Sequence, residues 1–141
     1  MGLSNVSTTR MVPLQSISIL VVDDDDPVRS VIHACLSGAG YQVTSTTGRE
    51  AVLSLLGTQR FDVVITDVLM PEFDGAEVVA ATRRHQPHAA IIAMSGAQFE
   101  TGNLRQTTAE RLGTSTSLMK PFHLEQLLQA IENALAERKC A

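Results

Sequence analysis

Cysteine is scarce, with two in 141 residues. That is too few for the disulfide framework that staples small secreted folds. Cys35 falls inside an apolar helical pattern and Cys140 is next to last, so they read as a core thiol and a tail thiol. His33 lies two residues from Cys35, and side chains at that spacing diverge on a helix, so the two do not pair on a metal. Basic residues are also few, 11 Lys and Arg against 15 Asp and Glu, and they gather nowhere beyond Arg83–Arg84. A partner held by phosphate neutralisation is therefore disfavoured. No apolar run approaches the ~18 residues of a membrane span, and the N-terminus has no signal-peptide core. A myristoylation signal at Gly2 would need a hydroxyl at position 6, where Val6 stands. No GxGxxG or P-loop marks a nucleotide or flavin module, and no repeat or low-complexity segment is visible. These absences lead to the expectation of a cytoplasmic protein, a monomer or weak dimer, with no nucleic acid and no membrane among its partners.

What is present is a regular alternation. Residues 1–16 are polar and aperiodic and read as a disordered lead-in, with one folded domain expected over 17–141. Hydrophobic residues make up 44% of the chain, enough to fill a core. Five short apolar runs follow, at Ile17–Val22, Tyr41–Thr44, Phe61–Thr66, Ala89–Met94 and Ser115–Met119. The first, third and fourth have the Val/Ile texture of strands buried on both faces. Helical spacing lies between them, in Val28, Val31, Ile32, Cys35 and Leu36, and in Ala51, Val52, Leu55 and Leu56. The last stripe is Leu124, Leu127, Leu128, Ile131 and Leu135. Five strand–helix pairs imply a three-layer α/β sandwich on a parallel sheet with right-handed crossovers.

The helix starts carry punctuation. Asp26–Pro27 offers an N-cap followed by proline at the first helical position, and Thr47…Glu50 and Asp74…Glu77 have capping-box spacing. Arg29 is expected on the exposed face of the first helix, His85 and His88 in a solvated loop, and Met70 and Met119 in the core.

In such a sheet, ligands collect beyond the carboxyl ends of the strands. The residues delivered there are Asp23 to Asp26 after the first run, Asp67 after the third, Ser95 after the fourth and Lys120 after the fifth. Two carboxylates ~4 Å apart repel by about 4 kcal/mol at an effective dielectric of 20. Asp23, Asp24 and Asp67 together therefore call for a cation, and hard oxygen ligands suit Mg²⁺. Asp25 and Asp26 read as a solvated helix start.

The segments Ile19-Leu-Val-Val-Asp-Asp24, Asp62-Val-Val-Ile-Thr-Asp67-Val-Leu-Met-Pro71, Asp74-Gly75, Met94-Ser95-Gly96 and Lys120-Pro121-Phe122 resemble the receiver domain of bacterial two-component response regulators, including the chemotaxis receivers. The likeness runs over about residues 17–138. It implies a flavodoxin-like fold of strand order 2-1-3-4-5, and phosphoryl transfer from a histidine kinase or histidine phosphotransferase to Asp67. It further implies Mg²⁺ held by Asp24, Asp67 and the backbone carbonyl of Leu69, with Asp23 acting through water. Ser95 and Lys120 would contact the phosphoryl group, and the Lys120–Pro121 bond would be cis. The protein that receives the signal is not named by the sequence, which leaves open a stand-alone relay, a chemotaxis-type switch or part of a larger regulator. Two rival readings are an Mg²⁺-dependent phosphohydrolase, which would need a second acid where Leu69 stands, and an unphosphorylated pseudo-receiver, which the complete acceptor set disfavours.

Two departures from the family pattern concern signalling. Ser117 occupies the position where many members carry a switching aromatic, and the segment between Ser95 and Lys120 is longer than usual. Leu69 and Ala97 are apolar where a hydrolytic water would be oriented, so a long-lived phosphorylated state is expected, with the signal carried by the 96–103 loop.

Overall fold

The computed structural model describes residues 17–68, 75–95 and 116–140. Five strands, β1 (Ser18–Val22), β2 (Gln42–Thr46), β3 (Val63–Asp67), β4 (Ala90–Ser95) and β5 (Thr116–Met119), form one parallel sheet in the order β2-β1-β3-β4-β5. Four helices are described, α1 (Asp26–Gly38), α2 (Arg49–Thr58), α3 (Gly75–His85) and α4 (Leu124–Cys140). The helix expected between β4 and β5 lies outside the described residues, as do the 1–16 lead-in, Leu69, Met70, Asp74, Ala97 and the 96–103 loop. Among the described residues no helix is long and apolar enough to cross a membrane.

Alternation along the strands builds the layers. Ile19 and Val21 of β1 point to one face, with Val63, Ile65, Ile92 and Met94, and are covered by Ile32 and Leu36 of α1 and Leu127 and Ile131 of α4. Leu20 and Val22 point to the other, with Val64, and meet Val52 and Leu56 of α2 and Val78 and Ala81 of α3. Residues Ile19–Val22 of β1 and all of β3 are buried because both faces are covered, which is why those runs read as continuous. The edge strand β2 is only half-buried.

Several local expectations are corrected. Asp25, not Asp26, caps α1: its carboxylate accepts from the Val28 amide at 3.2 Å, leaving Asp26 as the first helical residue. The Thr47 capping box does not form. The N-cap of α2 is Gly48, at φ +94°, a conformation that excludes most side chains and makes no side-chain cap. Val31 is 62% exposed and Leu124 and Met119 are each 43% exposed, so the apolar stripes of α1 and α4 are narrower than their spelling and Met119 is not core. Cys35 is a half-buried free thiol rather than a core one. His85 and His88 are exposed as expected. Between them, Gln86 ties the lower edge together, its Oε1 accepting from the Phe61 amide at 2.6 Å and its Nε2 donating to the Leu56 carbonyl at 2.9 Å.

Candidate functional site at the carboxyl edge of the sheet

The parallel register brings the strand ends into a row. Asp67 ends β3 opposite Met94, Ser95 ends β4 opposite Met119, and Lys120 follows β5 with its amide donating to the Ser95 carbonyl at 2.7 Å. Asp23 extends β1 by one residue, its amide facing the Thr46 carbonyl at 3.4 Å. Asp23 is fully buried, Asp67 and Ser95 are 8% and 5% exposed, and Asp24 lies open to solvent.

The carboxylates converge. Asp23, Asp24 and Asp67 each offer an oxygen within 4.8 Å of the others. Lys120 lies between two of them, its Nζ donating to Asp23 Oδ2 at 2.6 Å and to Asp67 Oδ2 at 3.2 Å. Burial works against the charge on Lys120. The hydrogen bond to Asp23 and the charges of Asp67 and Asp23 outweigh that cost and hold its pKa above the usual lysine value. Stability drawn from this pairing is therefore complete below the unfolded lysine value of ~10.4 and is lost as pH climbs through the higher folded one. The remaining Asp23 oxygen accepts from the Asp25 amide at 3.0 Å. With both oxygens engaged, Asp23 is a strut, whereas Asp24 makes no side-chain bond to another described residue and is available to a ligand. The Lys120–Pro121 peptide is cis.

The structure thus gathers Asp23, Asp24, Asp67, Ser95 and Lys120 at one edge, and Leu69 lies outside the described residues. Two further residues belong to the site without having been singled out for it. Arg29 is not on an open face: its side chain is 19% exposed, and it donates to the Asp23 carbonyl at 2.7 Å and to Asp26 Oδ1 at 2.5 Å. The sequence signal was there, since Asp26 and Arg29 stand at ion-pair spacing on a helix. Gly75 opens α3 directly against the end of β3. A Cβ there would lie 2.6 Å from the Asp67 carbonyl oxygen and 2.8 Å from the Val68 Cα.

A parallel sheet of this order, with an acidic pocket at the carboxyl ends of its central strands and a lysine reaching it from the end of edge strand β5, defines a flavodoxin-like domain of the chemotaxis-receiver type. The family model described as the response regulator receiver domain matches residues 19–132, and the chain belongs to that family. It is 35% identical over 122 residues to the DNA-binding transcriptional regulator NtrC of Bradyrhizobium sp. (strain RP501 Parasponia), covering 86% of this chain and 25% of that protein. It is 38% identical over 118 residues to the response regulator MprA of Mycolicibacterium vanbaalenii, covering 79% of this chain and 47% of that one. The chain therefore spans a quarter to a half of the length of these relatives. Among solved structures, the chemotaxis response regulator CheY4 of Vibrio cholerae superposes with a TM-score of 0.74 at 30% identity, covering 84% of this chain and 98% of that one. Full-length FixJ from B. japonicum superposes with a TM-score of 0.76 at 31% identity, covering 88% of this chain and 60% of that one.

Proposed function

We propose that this receiver domain is a phosphoacceptor switch that takes a phosphoryl group onto Asp67 from a histidine kinase or histidine phosphotransferase, with Mg²⁺ bound in the acidic pocket, and passes the signal to a downstream protein. The observation that carries the reading is the Lys120 ammonium lying between Asp23 and Asp67 while Asp24 stands open beside them. Transfer forms a bond from an Asp67 carboxylate oxygen to phosphorus and breaks the phosphorus–nitrogen bond of phosphohistidine, and the imidazole leaves with the electron pair. Phosphoryl transfer asks the protein for position and for neutralisation of the equatorial oxygens. Lys120 is placed to neutralise one of them, and Ser95 is assigned as a hydroxyl donor to another.

The donor set fits a divalent cation. It consists of hard carboxylate oxygens, close enough to share an ion and carrying more negative charge than one lysine offsets. Asp24 and Asp67, with the Leu69 carbonyl, are the proposed ligands, and Asp23 supports them from behind. A Mg²⁺ ion held by these residues would offset the negative charge of the phosphoryl group.

The test is incubation with acetyl phosphate and Mg²⁺ followed by intact-mass measurement. One added phosphoryl group is expected, lost when EDTA replaces the metal and mapping to the peptide that contains Asp67. No addition, or addition elsewhere, removes the proposal.

The acids should also separate in their metal response. Asp24→Ala is expected to weaken Mg²⁺ binding by at least roughly tenfold, because it deletes a ligand. Asp25→Ala deletes a helix cap instead. It should leave the affinity within about twofold while lowering stability by about 1 kcal/mol. Calorimetric Mg²⁺ titration of both variants measures this, and equal losses would place the ligand wrongly.

A further inference from the structure

Arg29 is a cation in the first turns of a helix, where the dipole favours acids. It is also mostly buried, and its two terminal nitrogens do different things. Nη1 donates to the backbone carbonyl of Asp23 at 2.7 Å and Nη2 to the carboxylate of Asp26 at 2.5 Å. The guanidinium therefore spans the β1–α1 turn from its first residue to the first residue of the helix, with Asp24 and Asp25 held between. A peptide unit is planar, so fixing the Asp23 carbonyl also fixes the Asp24 amide and the place of the Asp24 Cα from which its side chain departs. Asp24 needs that help, since its own carboxylate is bonded to no described residue.

We infer that Arg29 is a positioning residue for the proposed Mg²⁺ site: its forked guanidinium clamps the β1–α1 turn so that Asp24 faces the pocket before any metal arrives. The inference rests on the metal-site reading above. Lysine cannot replace it, because one ammonium does not supply two diverging donors in a fixed plane.

The charge and the clamp act in opposite directions, which makes the idea decidable. As a positive charge beside a cation site, Arg29 repels Mg²⁺, so a purely electrostatic role predicts tighter binding when it is removed. As a clamp it favours binding, and its loss should weaken Mg²⁺ affinity roughly tenfold, the scale seen when groups that orient metal ligands are removed. The experiment is calorimetric titration of the full chain with Mg²⁺ for wild type, Arg29→Met and Arg29→Lys, each checked by thermal melting. Both variants are expected to bind about tenfold more weakly. In metal-free protein, the Asp25 amide, which bonds to Asp23 Oδ1, should exchange its hydrogen faster in both. Unchanged or tighter binding in Arg29→Met overturns the inference, as does wild-type affinity in Arg29→Lys. A structural role alone would lower the melting temperature without moving the affinity, and that result also overturns it. Wild type that binds no Mg²⁺ overturns the metal site itself, a failure distinct from weak coupling to Arg29. If Arg29→Met does not fold, Arg29→Lys decides alone.

Discussion

Asp67→Asn is expected to reduce phosphoryl incorporation from acetyl phosphate to background while making the metal-free protein more stable. An amide is no nucleophile toward phosphorus, and the other described carboxylate paired with Lys120 is that of Asp23. Asp23 is committed on both oxygens and fully buried. The stability effect follows from charge. Asp67 attracts Lys120 but repels Asp23 and Asp24, and Lys120 keeps its shorter bond to Asp23 when Asp67 is neutralised. Among these three neighbouring charges two repulsions are removed for one attraction, and a net gain of about 1 kcal/mol is expected from them, of the order that screened interactions at these distances leave after cancellation. That corresponds to about 3–6 °C in melting temperature. Mg²⁺ should reverse the ranking, since wild type gains about 2.7 kcal/mol at a hundred times its dissociation constant and the variant gains little. Intact mass and melting with and without Mg²⁺ measure both halves. Equal labelling of the variant moves the acceptor elsewhere, and a lower metal-free melting temperature shows that the lysine attraction dominates.

Gly75→Ala is expected to cost both stability and phosphorylation, against the direction of helix propensity. In an open helix the change would be favourable by up to about 1 kcal/mol. Here the new Cβ meets the Asp67 carbonyl oxygen and the Val68 Cα well inside contact distance, and both are backbone atoms that cannot rotate away. Either α3 retreats from the sheet or the end of β3 shifts. Overpacking of this kind costs about 1–3 kcal/mol, or about 3–18 °C here. A displacement approaching 1 Å at the acceptor should slow phosphorylation on the order of a hundredfold. Unfolding curves and a phosphorylation time course check this. A more stable or equally reactive variant would show that the contact relaxes without reaching Asp67.

The fold was readable because its signals reinforce one another. β1, β3 and β4 are buried on both faces and spell themselves as unbroken Val/Ile runs, and the strand ends then deliver Asp23, Asp67, Ser95 and Lys120 to a common edge. The errors arise where one pattern admits several structures. Four consecutive aspartates offer four N-caps, and the pattern does not say which: Asp23 is drawn into the turn, accepting from the Asp25 amide, and Asp25 accepts from the Val28 amide. Val31 and Ile32 differ by 100° around α1, and with Ile32 turned to the sheet Val31 falls on the exposed side of the stripe. Thr47 lost its cap to Gly48 because the chain turns there at positive φ. Arg29 and Gly75 were missed for a different reason. The spacing of Asp26 and Arg29 was readable as an ion pair, but the contacts of Arg29 with the Asp23 carbonyl and of Gly75 with the Asp67 and Val68 backbone lie outside side-chain periodicity.

Lys120 stands 97 residues after Asp23, to which it is hydrogen-bonded. During synthesis the two aspartates emerge long before the lysine that neutralises them. A chain stopped short of β5 would have to bury Asp23 with no cation to meet it, at a cost of several kcal/mol. The same missing portion also removes Leu118, Leu127 and Ile131 from the core. Arrival of the last strand and helix therefore closes the hydrophobic layer and balances the pocket in one step. A chain that lacks β5 and α4 therefore lacks both a completed core layer and the cation of the acidic pocket.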